Sequence, residues 1–196
     1  MRKVENEMKH LRTVEINDKR YQVGDVINFD LIDGEPVEAM AVREESDGMI
    51  FCLVDCLRDE YPMQYNGDFR DGYEKSDLRA ILNHKIIDRF PAEVREVLVP
   101  FANGDMLRVP TEREIFGENE YGIKETDDVE QFECMKLRRN RIAFQGKDGA
   151  WEWYWLQNRS VDSATSACAV TTSGYATILG ASYSVGVRPL FKIQNP

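Results

Sequence analysis

The sequence predicts an α+β domain, built mainly of antiparallel strands with a small helical pair. Three observations predict it. Short apolar runs alternate with turn dipeptides in both the first and the last third of the chain. One clear helical period lies between them, at Leu78, Ile81, Leu82, Ile86 and Phe90. The stretch from Trp151 to Ile193 holds all 3 tryptophans and several β-branched or aromatic runs separated by polar turns. With 196 residues, 42% of them hydrophobic, the chain can bury a core. One domain over residues 20–196, after a charged lead-in at 1–19, is the natural division.

The elements follow in order. Arg20 to Phe29 is β-like, with a bend at Gly24. Asp33-Gly34 and Asp47-Gly48 are turn signals on either side of a short strand at Val37–Val42. Met49 to Leu57 is apolar and β-rich and reads as a central strand, so the first third is an antiparallel meander. Residues 58–73 are polar, aromatic and spotted with glycine, a loop by composition. Ser76 is an N-cap, and Pro91 ends or redirects the helix it opens. Ala92 to Leu98 suits a second short helix, and Gly104 to Val109 a short strand. Thr111 and Glu114 have capping-box spacing, with Gly117 as the stop. Ile142 to Gln145 resumes strand character. Trp151, Trp153 and Trp155 alternate with Glu152 and Tyr154, which puts three indoles on one strand face. Cys168–Thr172 and Tyr175–Leu179 flank a Ser173-Gly174 hairpin signal. Val185 to Ile193 is the last strand, and Pro189 inside it marks a strand start, bulge or edge.

Net charge is −10, from 35 acidic and 25 basic residues. General attraction to nucleic acid or anionic membrane is therefore disfavoured. The first ten residues carry no apolar run of a secretory signal, and no stretch approaches the roughly 18–20 apolar residues of a bilayer span. These features predict a cytoplasmic or virion-associated protein. Cys52, Cys56, Cys134 and Cys168 read as structural thiols. His10 and His84 are the only histidines and no CxxC is present, so neither metal nor cofactor is expected. The acidic cluster at residues 125–133 lacks the ligand spacing of a calcium loop.

Candidate partner contacts concentrate in two segments. Tyr61, Tyr65, Phe69 and Tyr73 give the 58–73 loop more rings than a linker needs; they either pack as a lid or form a binding rim. Asn158, Arg159 and Ser160 open a polar loop at residues 157–166. The tryptophans suit a core, or alternatively an exposed stacking platform. Arg188 suits a structural arginine pinned by carbonyls or a carboxylate.

These residues carry a resemblance. Trp153-Tyr154-Trp155-Leu156-Gln157-Asn158-Arg159-Ser160, the helix Ser76-Asp77-Leu78-Arg79-Ala80-Ile81-Leu82-Asn83, the pair Gly24-Asp25 and the terminal Gly186-Val187-Arg188-Pro189-Leu190 resemble motifs of a family of bacterial and phage-encoded domains. The proline that follows Arg-Ser in that family is Val161 here, and Tyr154 stands in the tryptophan pair, which predicts a different loop path after Trp155. The resemblance implies a fold related to C-type lectins and formylglycine-generating enzymes. It implies structural roles for Trp153, Trp155, Gly186, Arg188 and Pro189. No nucleophile elbow, base or thiol arrangement accompanies it, so an enzyme is not expected. The expected function is a non-catalytic, phage-associated module that presents its loops to a protein. That could be a particle or adhesin component, or an inhibitor of a host defence system. Carbohydrate is the second ligand class, a purely structural domain a further alternative, and a thiol- or metal-dependent enzyme the last.

Overall fold

A computed structural model describes residues 13–16 and 20–195. Most of the expected lead-in, with His10, lies outside the described residues. The α+β expectation holds: antiparallel sheets dominate and the helices are short. Among the described residues no helix is long and apolar enough to cross a membrane.

The meander is present. Strands β1 (Val26–Asp30), β2 (Pro36–Glu45) and β3 (Gly48–Leu53) pair antiparallel in sequence. They join β5 (Leu107–Arg108) and β12 (Leu190–Ile193) in a five-stranded sheet of order β1-β2-β3-β12-β5. All six residues of β3 are buried, as a central strand requires. Alternate residues feed two apolar clusters. Phe51, Leu53 and Phe191 enter the larger one, while Ile50, Cys52 and Leu190 enter the smaller one.

The second sheet has β8 (Tyr154–Arg159), β9 (Ser166–Val170) and β10 (Ala176–Gly180) in the order β10-β9-β8. It feeds the same two clusters: Trp155, Ala167 and Ala169 on one side, Tyr154, Leu156 and Cys168 on the other. The segment before β12 links the sheets. Gly186 N–H donates to the Trp153 carbonyl at 2.9 Å, and Trp155 N–H to the Gly186 carbonyl at 3.3 Å. A side chain has no room there: a Cβ on Gly186 would lie 2.7 Å from Cys56 Sγ and 2.8 Å from the Trp153 oxygen. Two small pairs complete the fold, β4 (Tyr61–Pro62) with β11 (Ser184–Val185) and β6 (Ala143–Phe144) with β7 (Trp151–Glu152).

The helical pair is where the period placed it. The Ser76 side chain caps α1 (Asp77–Ile81) by accepting from Arg79 N–H, and the chain stays helical to Arg89 through a wider turn at Leu82–Ile86. Asn83 staples this turn to β5. Its Nδ2 donates to the Leu107 carbonyl at 2.8 Å, and its Oδ1 accepts from Met106 and Leu107 N–H. After Pro91 comes α2 (Ala92–Arg95). The Thr111–Glu114 capping box opens α3 (Glu112–Phe116), and Gly117 closes it with φ +83°.

One expectation fails. The three indoles do not share a strand face, because the strand breaks at Trp153 and the residues on either side join different sheets. Trp151 stands in β7 and is 67% exposed; Trp153 is half-buried; Trp155 is buried, its Nε1–H donating to the Tyr61 carbonyl at 2.8 Å.

Candidate docking edge and the predicted site residues

The rings of the 58–73 loop divide between the two readings. Tyr61, Phe69 and Tyr73 are buried and cover the core as a lid, and only Tyr65 faces solvent. As a four-ring binding rim the loop is therefore corrected: β4 holds Tyr61 inward, the 3₁₀ turn at Tyr73–Lys75 holds Tyr73, and Phe69 is buried where its N–H donates to the Ala164 carbonyl.

The polar segment is corrected too. Asn158 and Ser160 are buried. Asn158 Oδ1 accepts from Glu112 N–H at 2.7 Å, and its Nδ2 donates to Ile123 O and to Glu125 Oε1 at 2.6 Å. Glu112 is buried as well and accepts from the N–H groups of Tyr121 and Gly122. Asn158 thus accepts from the first turn of α3 and gives the Glu125 carboxylate a donor, and these bonds hold it inward. Arg159 is half-buried and lies beside Tyr73, Asn158 and Arg70 in one shallow surface depression.

The loops nevertheless meet. Phe69 N–H donates to Ala164 O at 2.8 Å, Gln64 N–H to Ala181 O at 2.9 Å, and Ala181 N–H to Thr165 O at 2.8 Å. Residues 61–73, 160–165 and 180–184 are thus stitched into one rim. Its solvent-facing apolar residues are Tyr65, Val161 and Tyr183, at 64%, 56% and 65% exposure.

This rim adjoins the end of β10. Strand β10 pairs with β9 without a register shift. Tyr175, Thr177, Leu179 and Ala181 align with the hydrogen-bonding positions of β9, since Tyr175 O accepts from Thr171 N–H and Ala181 N–H donates to Thr165 O. The backbone groups of Ala176 and Ile178 therefore point outward, and no partner for them occurs among the described residues. Residues 175–180, YATILG, hold no charge and no proline. Ile178 is exposed on the strand, and Tyr175 and Tyr183 are exposed at its two ends. The other sheet margins are covered or short. Outside β8, Gln157 N–H donates to Pro110 O and Ile123 N–H to Arg159 O. Strand β1 bridges to Thr13, and β5 is two residues long with Arg108 paired to Glu114. Sequence reading placed a strand here without a function. The signal was available in its run of uncharged residues, unusual for an edge.

The remaining chemistry is inward. The cysteines are unbridged. Burial pushes the Cys134 thiol up to about 11 and the Cys56 and Cys168 thiols further. Among the described residues no group of three or more His, Cys, Asp or Glu is placed to hold a metal ion. Arg188 is buried. Its Nε donates to Leu53 O at 2.7 Å, and its Nη1 to Asn140 O at 3.0 Å and to the Tyr154 hydroxyl at 3.2 Å. Pro189 directly precedes β12, where a missing N–H costs nothing to the ladder.

No curated protein and no solved structure matches the chain. A family described as a domain of unknown function, DUF6273, matches residues 48–195, from the start of β3 to just beyond β12, and the chain belongs to that family.

Proposed function

We propose that this protein is a non-catalytic protein-binding module that docks a partner along the β10 edge, with the rim of Tyr65 and Tyr183 as flanking contacts. The single observation that carries the reading is the open edge: outward backbone groups at Ala176 and Ile178, in a strand with neither charge nor proline. Such an edge is a template for another strand, and main-chain hydrogen bonds would supply affinity. Exposed tyrosines at both ends would add contact area at low entropic cost. The reading includes a C-type-lectin-like fold, favoured by long loops and short helices beside antiparallel sheets. It also includes the phage setting, in which the partner is a particle component or a host defence protein.

The test is capture from host extract by the full chain and by an Ile178→Lys variant, followed by hydrogen exchange on each retained complex. A partner that the wild type holds, that the variant loses, and that protects the amides of residues 175–180 supports the proposal. Equal capture by both chains, or saturable binding to a glycan array with no protein retained, overturns it. Ile178 is exposed, so the variant is expected to keep its melting curve within about 0.5 kcal/mol of wild type.

A further inference from the structure

The second face of the five-stranded sheet holds a cavity of about 420 Å³, within the range of small-molecule sites. Met40, Val42, Val54, Met135, Ile142 and Phe144 give it an apolar lining. Arg188 and Asp55 both line it. The three acceptors that hold Arg188 are two carbonyls and a phenol, all neutral. Its Nη2 has no hydrogen-bond partner, and no carboxylate lies within ion-pair distance of it among the described residues. Asp55 acts on this charge only at longer range, so the buried cation has no bonded anion and a ligand anion would offset part of its desolvation cost. Exposed Arg139 adds a second cation to the lining, whereas Lys147 is already paired with Glu38 at 2.9 Å and Asp148 sits beside it in the lining.

Asp55 restricts what the anion can be. Its Oδ1 accepts from Phe144 N–H at 3.1 Å, and burial raises its carboxyl above the usual range. A bare anion would meet this second carboxylate. A ligand with a donor beside its own carboxylate would satisfy both groups. We propose that this cavity binds a small carboxylic acid that has an apolar body and a hydrogen-bond donor next to the carboxylate, of which an apolar α-amino acid is the simplest member. The carboxylate meets Arg188 Nη2, the donor meets Asp55, and the apolar body packs between the methionines and Phe144. This site is separate from the β10 edge, shares no residue with it, and stands whether or not that edge docks a partner.

Titration of the full chain with L-leucine, 4-methylpentanoate and 3-methylbutylamine, read by calorimetry and by methyl NMR shifts, tests it. Leucine is expected to bind saturably and to shift the Val54 and Ile142 methyls. The acid lacking the amino group should bind roughly tenfold more weakly, the loss of one charge-assisted hydrogen bond, and the amine lacking the carboxylate should not bind. Asp55→Asn should narrow the preference for leucine over 4-methylpentanoate, and Met40→Trp should fill the cavity and abolish binding. No saturable binding of either acid, shifts outside the cavity, or an amine as good as leucine overturns the proposal. Arg188 is left intact because the fold depends on it.

Discussion

Buried beside Arg108, Glu114 ties a helix start to a strand end. Its carboxylate accepts from Arg108 Nη1 at 2.7 Å and Nη2 at 2.6 Å, and from Thr111 N–H at 2.9 Å, with Arg43 at 3.4 Å. Burial alone would raise the carboxyl, but the Arg108 charge and these hydrogen bonds outweigh it and hold it below the usual glutamate range. A group with a depressed folded value contributes stability above its unfolded value, near 4.3, and loses it as pH falls through the folded value. Glu114→Gln should therefore cost about 3–5 kcal/mol at neutral pH, since it strands a buried guanidinium. The gap between variant and wild type should shrink below about pH 4 as the wild-type carboxyl protonates. Urea unfolding at pH 7 and pH 3 measures this, and a gap of equal size at both values would refute it. The T-x-x-E spacing announced the cap, because capping is local. The ion pair with Arg108 was silent, because its geometry depends on β5 lying against α3. Asn158 misled for the same reason: a short polar side chain reads as surface until distant groups, here the Glu112 N–H, the Ile123 carbonyl and the Glu125 carboxylate, engage it.

Among the elements, those set by neighbouring residues were legible. The β1–β2–β3 meander, the capped helices, the β9–β10 hairpin and the strand start after Pro189 all follow from turn dipeptides, caps and period. The indole strand was not, since alternation cannot tell one continuous strand from two that belong to different sheets. The break at Trp153 arises where Gly186 approaches its backbone, a contact between residues 33 positions apart in sequence. That approach makes a sharp prediction. Gly186→Ala should lose roughly 1–3 kcal/mol, because the new methyl meets backbone and a buried thiol. At Gly34 the surroundings are open but φ is +82°, so Gly34→Ala should lose only about 1 kcal/mol, from backbone strain. Chemical denaturation of the two variants ranks them, and the reverse order would show that crowding at Gly186 is relieved without cost.

At the scale of the whole molecule, the order β1-β2-β3-β12-β5 places the last strand inside the sheet, between β3 and β5. Such long-range pairing leaves no local trace in sequence, which is why the strands were legible and their order was not. The family match begins at residue 48, at the first residue of β3, so β1 and β2 fall outside it although they complete the same sheet. Without them β3 would become an edge strand with its whole length apolar and unpaired on one side, the arrangement that invites aggregation. Tyr21 and Phe29 would also leave the larger apolar cluster, uncovering Phe51 and Phe191, whose rings they meet at 5.1 and 6.1 Å. The cooperative unit is therefore larger than the family segment. The chain from residue 20 to 196 should unfold in one transition, whereas a 48–195 fragment should give no dispersed amide spectrum and should associate. If that fragment instead yields a monomer with a native-like spectrum and a sharp melt, β1 and β2 are an accessory hairpin, and the sheet draws its stability from β3, β12 and the second sheet alone.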